Sequence, residues 1–468
     1  MIGLHDIKAV YFIGIGGIGM SALARFFNSK GVVVSGYDKT QTDLTRNLEA
    51  EGMKVYYDED VVRAPKDVNL VVYTPAIPTD HKELNYYRAQ GYQVVKRSEV
   101  LQIITASSLN VCVAGTHGKT TISTMTAFLL QESGHGCNAF LGGLSVNYGT
   151  NFWSSINPLC VVEADEYDRS FHKLSPDYAV VSSMDPDHLD IYGTPENVEE
   201  AFIEFTRKIR SGGWLLHKYG LKRAAALKAD HIMSYHVTDE GADIHVRNLN
   251  IVNGGYQYDV VIRKTEGSHV ISGLELHVGG LHNVENSLPA IALCHLMQLS
   301  DEKIRKALAA FRGVKRRFEY WIEPGQDIVM VDDYAHHPEE LSALISGARS
   351  LFKGYGLMLI FQPHLYSRTR DLADGFAASL DRVDMSILLP IYPARELPMA
   401  GVSSGMIADK MQLKNVMLME KEAVPGSIMN IIHDNQKTKN IKRWVVITAG
   451  AGDIDVLLPA LKEKILNG

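Results

Sequence analysis

LNVCVAGTHGKTT, residues 109–121, is the stretch on which the fold of this chain turns. Asn110 to Ala114 is a short apolar run suited to a buried parallel strand, and it passes through Gly115 and Gly118 into a helical period from about Lys119 to Glu132. A strand that ends in a glycine-containing loop and a helix N-terminus gathers backbone N–H groups at one point, where they can cradle phosphate. Gly115, Thr116, His117, Gly118, Lys119, Thr120 and Thr121 supply that loop. Lys119 can reach β and γ phosphates and the Thr120 hydroxyl can join a Mg2+ shell, so ATP is the simplest ligand. Val113 breaks the G-x-x-x-x-G-K-[ST] spacing, yet Gly-Lys-Thr at a strand-to-helix junction is a demanding combination.

Two acidic clusters lie downstream, Glu163-Ala164-Asp165-Glu166 after the strand-like PLCVV and Asp185-Pro186-Asp187-His188-Leu189-Asp190 after YAVVSSM. The carboxyl ends of parallel strands share one edge with the phosphate loop, so carboxylates and an imidazole there can hold Mg2+ against ATP. A single acid at a strand end is more often a helix cap; the convergence carries the argument.

Around this centre the chain alternates strand and helix three times, which predicts an α/β protein of three domains, each built on a mainly parallel sheet with flanking helices. The divisions fall at 1–107, 108–315 and 316–468. AVYFIG, VVVSGYD, NLVVYTP and QVVKR are the strands of the first. The period-two stretch from Asp243 to Gly280, with NGG and EGS turns, reads as an antiparallel insertion covering one sheet edge. DIVMVDDY, GLMLIFQP, MSILLP and RWVVITAG are the strands of the third.

Gly14, Gly16, Gly17 and Gly19 stand between a strand and a helix, with Asp38 ending the next strand. Alone this pattern predicts a nicotinamide dinucleotide and hence an oxidoreductase, although a nucleotide diphosphate would use the same geometry and a tight turn needs no ligand. In the third unit DDYAHHP (332–338) and FQPHLYSRTR (361–370) sit where strands give way to helices, and Pro338 suits a first helical turn. A hydrolytic metal centre made of these histidines with His188 is a rival reading, but it leaves Lys119 without a task.

The 468 residues carry 47 Lys plus Arg against 54 Asp plus Glu, a net charge of −7, which lacks the basic excess that a duplex-binding surface needs. Cys112, Cys137, Cys160 and Cys294 show no C-x-x-C spacing, so a reducing cytoplasm is expected rather than a disulfide framework or zinc knuckle. The apolar stretch Ala9 to Ala24 is glycine-rich and too short to span a bilayer, so no membrane partner is expected.

GIGGIGMSALA, GTHGKTT, EADE-x-DRSF, DPDHLD, HN-x-x-N, RRFE, DDYAHHP, FQPH and AGAGD, in this order, closely resemble the cytoplasmic Mur ligases of peptidoglycan synthesis, nearest to the alanine-adding branch. The resemblance covers all three units. It implies an N-terminal domain for a UDP-sugar, a central ATPase domain and a C-terminal Rossmann-like domain closing over ATP and the amino acid. It replaces the dinucleotide reading with UDP binding at Gly14, Gly16, Gly17, Gly19 and Asp38. By position it implies that Lys119 contacts ATP phosphates, Thr120 and Glu163 hold one Mg2+ and His188 a second. It further implies Asn283 and Asn286 near adenine, Arg317 near the transferred phosphate and Asp333 near the ribose.

The implied substrates are UDP-N-acetylmuramate and L-alanine, joined through an acyl phosphate. Two departures stand out. No lysine occurs between His188 and Lys208, where several sister ligases carry a carbamylated lysine, and Leu365 stands where many alanine-adding members have Arg. The amino acid is therefore expected at Tyr334, His336, His364 and Arg368, with Arg368 the nearest remaining cation. A muropeptide-recycling ligase is the nearest relative to exclude, and its first glycine loop typically differs from GIGGIG.

Overall fold

The computed structural model describes residues 6–394, 396–439 and 441–467, and of Asp168, Asp190, Thr438 and Lys439 the backbone only. The first sheet is parallel throughout: β1 (Ala9–Ile13), β2 (Val33–Tyr37), β3 (Lys54–Tyr56), β4 (Leu70–Tyr73) and β5 (Val94–Lys96), in the order β3-β2-β1-β4-β5. The order reverses at β1, so the glycine loop after Ile13 lies at a switch point, where crossovers diverge and leave a crevice. The three-residue β3 and the helix Asp43–Ala50 were not singled out in the sequence.

The central sheet holds β6 (Asn110–Ala114), β7 (Asn138–Phe140), β8 (Phe152–Trp153), β9 (Cys160–Glu163), β10 (Tyr178–Val181), β11 (Trp214–Lys218), β12 (His231–His236), β13 (Ile244–Val252), β14 (Gly255–Arg263) and β15 (Ser268–Leu276). Their order is β15-β14-β13-β12-β11-β10-β6-β9-β7-β8. The phosphate-loop strand β6 is buried at every position and lies between β9 and β10, parallel to both. Val113 stands opposite Glu163 and Ala114 opposite Val181, so the loop leaves the sheet level with both acidic clusters.

The insertion covers one edge of the central sheet, as expected. Its strands β13–β15 lengthen the sheet, β13 pairing in parallel with β12, because unpaired N–H and C=O groups of an edge are best satisfied by another strand. Asn253-Gly254 joins β13 to β14, a connection too short for anything but an antiparallel return.

The third sheet holds β16 (Glu319–Ile322), β17 (Ile328–Asp333), β18 (Gly356–Phe361), β19 (Met385–Leu388), β20 (Val416–Leu418) and β21 (Trp444–Ala449), in the order β16-β17-β21-β18-β19-β20. All its pairings are parallel except that of β16. By internal contacts the chain divides into two compact units, Met1–Arg247 with Asp259–Leu274 and Glu285–Ala309, and Asn248–Tyr258 with Glu275–Val284 and Ala310–Gly468.

Within the first unit the two sheets share a core. Phe26, on the helix Ile18–Ser29 that follows the glycine loop, packs against Phe140 and Phe152 with ring centroids 5.4 and 6.2 Å away. The buried Arg25 pairs with Glu51 at 2.7 Å and donates to Asn151 at 2.5 Å. The first glycine loop is thereby anchored to the sheet that carries the phosphate loop. Among the described residues no helix is long and apolar enough to cross a membrane.

Candidate active site

Gly115 (φ +136°) and Gly118 (φ +83°) let the loop turn from β6 into the helix Lys119–Glu132. The end of β10 fastens it: Ser183 Oγ lies 2.8 Å from Thr116 Oγ1 and accepts the His117 N–H at 2.8 Å, and the Ser182 hydroxyl donates to the His117 carbonyl. The Asp185 N–H donates to Thr116 Oγ1 at 3.2 Å. These serines were missed as site residues, although a polar pair closing an apolar strand beside a phosphate loop was the available signal.

Lys119 Nζ donates to the Gly115 carbonyl at 2.6 Å and to Glu166 Oε1 at 2.8 Å. Thr120 Oγ1 donates to Glu163 Oε1 at 3.1 Å, and Glu163 Oε2 accepts the Gly142 N–H at 3.0 Å. Glu166, expected only as one acid of its cluster, therefore joins the site as the partner of Lys119. Its carboxylate is buried, Oε2 has no hydrogen-bond partner, and burial pushes its pKa up against the opposing pull of Lys119.

His188 adopts a left-handed backbone (φ +51°), which turns its ring toward the same group: Nε2 is 4.0 Å from Glu166 Oε1 and 3.8 Å from Asp187 Oδ2. Glu166, Asp187 and His188 each offer a ligand atom within 4.8 Å of the others. Asn286 flanks the loop, since a Cβ on Gly118 would lie 2.8 Å from its Oδ1. Thr121 is buried in the first helical turn and His117 is exposed.

The first glycine loop borders a cleft of about 280 Å³ lined by Gly17, Gly19, Thr74, Arg97, Asp165 and Tyr167 among others. Gly14 (φ +88°) starts the turn, and the Gly16 N–H donates to Asp38 Oδ2 at 2.8 Å, so Asp38 braces the loop. Arg97 pairs with Asp165 at 3.5 Å. It is a cleft residue that sequence reading did not single out. The segment Glu163–Ser170 thus meets Lys119 and Thr120 through Glu166 and Glu163 and lines this cleft with Asp165, Tyr167 and Ser170.

In the second unit Asn283 donates to the Gly279 carbonyl at 2.7 Å, holding the start of the helix Leu281–Leu296. Asp333 accepts the Phe318 and Ala335 N–H groups, each at 2.8 Å, and burial pushes its pKa up to about 6. Its neighbour Asp332 is fully buried, bonded to the Thr448 hydroxyl at 2.6 Å and to Arg316 Nε at 3.3 Å, and burial pushes it up to about 7. Arg316 is committed to this network, while Arg317 is exposed.

Tyr334, His336, His364 and Arg368 come together. The rings of Tyr334 and His336 are 5.3 Å apart, those of His336 and His364 6.0 Å, and Arg368 Nη1 is 3.4 Å from His364 Nδ1. Burial, then Arg368 and His336, hold the His364 imidazole below its ordinary pKa. Leu365, at φ +71°, turns the chain into the helix Tyr366–Leu380 and places Arg368 one turn from His364.

A buried strand, a glycine turn with Lys and Thr opening a helix, and acids at the end of one neighbouring strand and in the loop after the other define a phosphate-loop nucleotide-binding enzyme. Three family models match: "Mur ligase family, catalytic domain" over residues 9–108, "Mur ligase middle domain" over 113–294 and "Mur ligase, glutamate ligase domain" over 316–461. The chain belongs to the Mur ligase family. It is 46% identical to a UDP-N-acetylmuramate–L-alanine ligase of Porphyromonas gingivalis, over 98% of this chain and 99% of the relative. It is 45% identical to one of Phocaeicola vulgatus, over 98% of each.

Among solved structures, the UDP-N-acetylmuramate-alanine ligase of Thermotoga maritima superimposes with a TM-score of 0.80 at 26% identity, over 99% of this chain and 100% of that one. A murein peptide ligase of Psychrobacter arcticus, at 22% identity and a TM-score of 0.65 over 97% of this chain and 99% of that one, shares the fold. The dinucleotide reading of the first glycine loop finds no support among these relatives.

Proposed function

We propose that this chain joins L-alanine to the lactyl carboxylate of UDP-N-acetylmuramate, driven by ATP and passing through an acyl phosphate, in the cytoplasmic synthesis of a peptidoglycan precursor. Its relatives along the full length support the substrates. The observation that carries the geometry is the segment Glu163–Ser170, which serves the phosphate loop and the first glycine cleft together. A reaction between ATP and a sugar-nucleotide carboxylate needs its two sites to share such a wall.

In this reading residues 1–107 hold the UDP-sugar through Gly14, Gly16, Gly17, Gly19 and Asp38. Residues 108–315 hold ATP through Gly115 to Thr121 and Asn286, and residues 316–468 supply the amino-acid site. Asn283, Arg317 and Asp333 complete the nucleotide contacts as the family resemblance implies. Lys119 leaves Glu166 for the phosphates and, with Arg317, stabilises charge on the transferred group while the lactyl carboxylate attacks the γ phosphorus. ADP departs, the alanine amine attacks the acyl carbon, and phosphate leaves. Arg368 takes the alanine carboxylate, and His364, whose pKa is held down, can receive the proton that the amine must lose, with His336 beside it.

Thr120 with Glu163 suits one hard cation and His188, grouped with Glu166 and Asp187, a second: the donors are mainly oxygens, and a buried Glu166 carboxylate oxygen lacks a partner. Mg2+ bound there would neutralise phosphate charge. The decisive assay measures ADP release with ATP and Mg2+, with UDP-N-acetylmuramate and L-alanine added singly and together. Release is expected only with both. Equal turnover without the sugar nucleotide, or reduction of NAD, would sink the proposal.

A further inference from the structure

Apart from the phosphate loop, three metal-binding side chains of the first unit converge: His269 on β15, His295 in the last turn of the helix Leu281–Leu296, and Asp301 in the first turn of the helix Asp301–Ala310. One ligand atom from each lies within 4.8 Å of the other two. His269 Nε2 is 2.9 and 3.0 Å from the two Asp301 carboxylate oxygens, and the imidazoles stack with centroids 4.5 Å apart and planes at 24°. All three residues are partly exposed, so an ion from solvent can reach them. Nothing in the ligase reaction proposed above uses them.

We propose that His269, His295 and Asp301 form a second metal site, for a divalent transition-metal ion of the Zn2+ kind. Two imidazole nitrogens and one carboxylate oxygen suit Zn2+ far better than Mg2+, which prefers oxygen alone. A tetrahedral centre with bonds of about 2.0–2.2 Å spaces its ligand atoms by about 3.4 Å, which small side-chain rotations supply here. Without metal, His269 Nε2 and the Asp301 carboxylate share a hydrogen bond; when the ion binds, the ring proton resides on Nδ1, Nε2 gives its lone pair to the ion, and water fills the fourth position. Lys264 lies near enough to act on His295 electrostatically. It opposes the ion's charge, which the Asp301 carboxylate offsets. The bound ion ties the last strand of the central sheet to two helices.

The test is calorimetric titration of the full chain with Zn2+ in excess Mg2+, comparing the wild type with His295→Phe, Asp301→Asn and His188→Ala. His295→Phe keeps a ring stacked on His269 and removes only the nitrogen, so circular dichroism and Mg2+-supported ADP formation should match the wild type. The expected result is one Zn2+ equivalent whose affinity falls at least about a hundredfold in His295→Phe and in Asp301→Asn but survives in His188→Ala. Equal Zn2+ binding by the wild type and both cluster variants, no Zn2+ uptake by the wild type, or loss confined to His188→Ala would overturn the proposal. The cluster would then be a hydrogen-bonded strut. If His295→Phe misfolds, Asp301→Asn alone decides between these outcomes.

Discussion

Lys119 and Glu166 lie 2.8 Å apart and largely buried, and burial raises the Glu166 pKa while the Lys119 pairing opposes the rise. Lys119→Ala should stop acyl phosphate formation, measured by hydroxylamine trapping, and destabilise the first unit by about 1–3 kcal/mol because a buried carboxylate loses its cation. Adding Glu166→Gln should recover most of that stability and none of the trapping. A double-mutant cycle on the unfolding midpoint checks this, and additive losses would separate the two residues. Arg368 can be tested at the same scale. Losing a charge-assisted contact costs about 1.5–3 kcal/mol, so Arg368→Ala should raise KM for L-alanine roughly tenfold to a hundredfold and leave KM for ATP unchanged. Arg368 also helps hold the His364 pKa down. Removing that cation lets the imidazolium persist to higher pH, so the acid limb of kcat/KM for alanine should move upward in pH, and an unmoved limb would take His364 out of the proton transfer.

The phosphate loop is the element most exposed to backbone change. A Cβ on Gly115 would run into the Ser182 hydroxyl and come within 2.9 Å of the Ser183 nitrogen, and its φ of +136° strains any other residue. At Gly118 the nearest atom is the end of the Asn286 side chain rather than backbone. Gly118→Ala should therefore cost only the left-handed backbone penalty of about 1–2 kcal/mol, while Gly115→Ala should cost more and abolish nucleotide binding. Denaturant unfolding and titration with a fluorescent ATP analogue distinguish the two; equal effects would show that the Ser182–Ser183 clamp yields as easily as a side chain.

For the molecule as a whole, the buried carboxylates predict how stability follows pH. Asp332 and Asp333 titrate in the folded chain near 7 and 6, against an ordinary value of 3.8. Between pH 4 and 7 the folded state binds more protons than the unfolded state, so the stability contributed by the second unit should fall as pH rises and level off above about 7. Asp332→Asn should flatten the upper part of that slope, as read from thermal unfolding between pH 5 and 8. Stability rising over this window would mean that the Arg316 pair outweighs burial.

Runs such as NVCVA and VVITAG, each closed by a glycine turn, are local patterns, and local chemistry is enough to make them parallel strands with helices behind them. For the same reason Lys119, Thr120, Glu163 and His188 were legible: strand ends bring them to one edge whatever the rest of the chain does. What the tertiary structure alone decided is which polar group each of them meets. Glu166 rather than Glu163 takes Lys119, Ser182 and Ser183 clamp the loop, Arg316 rather than Arg317 enters the buried network, and Arg97 joins a cleft lined by residues as distant in the chain as Gly17 and Tyr167. The strands β13–β15 likewise carried their period in the sequence, but their place at the end of the central sheet came from the unpaired edge of β12. Periodicity is set by neighbours in the chain, whereas desolvation and hydrogen-bond partners are set by residues that only folding brings within a few ångströms.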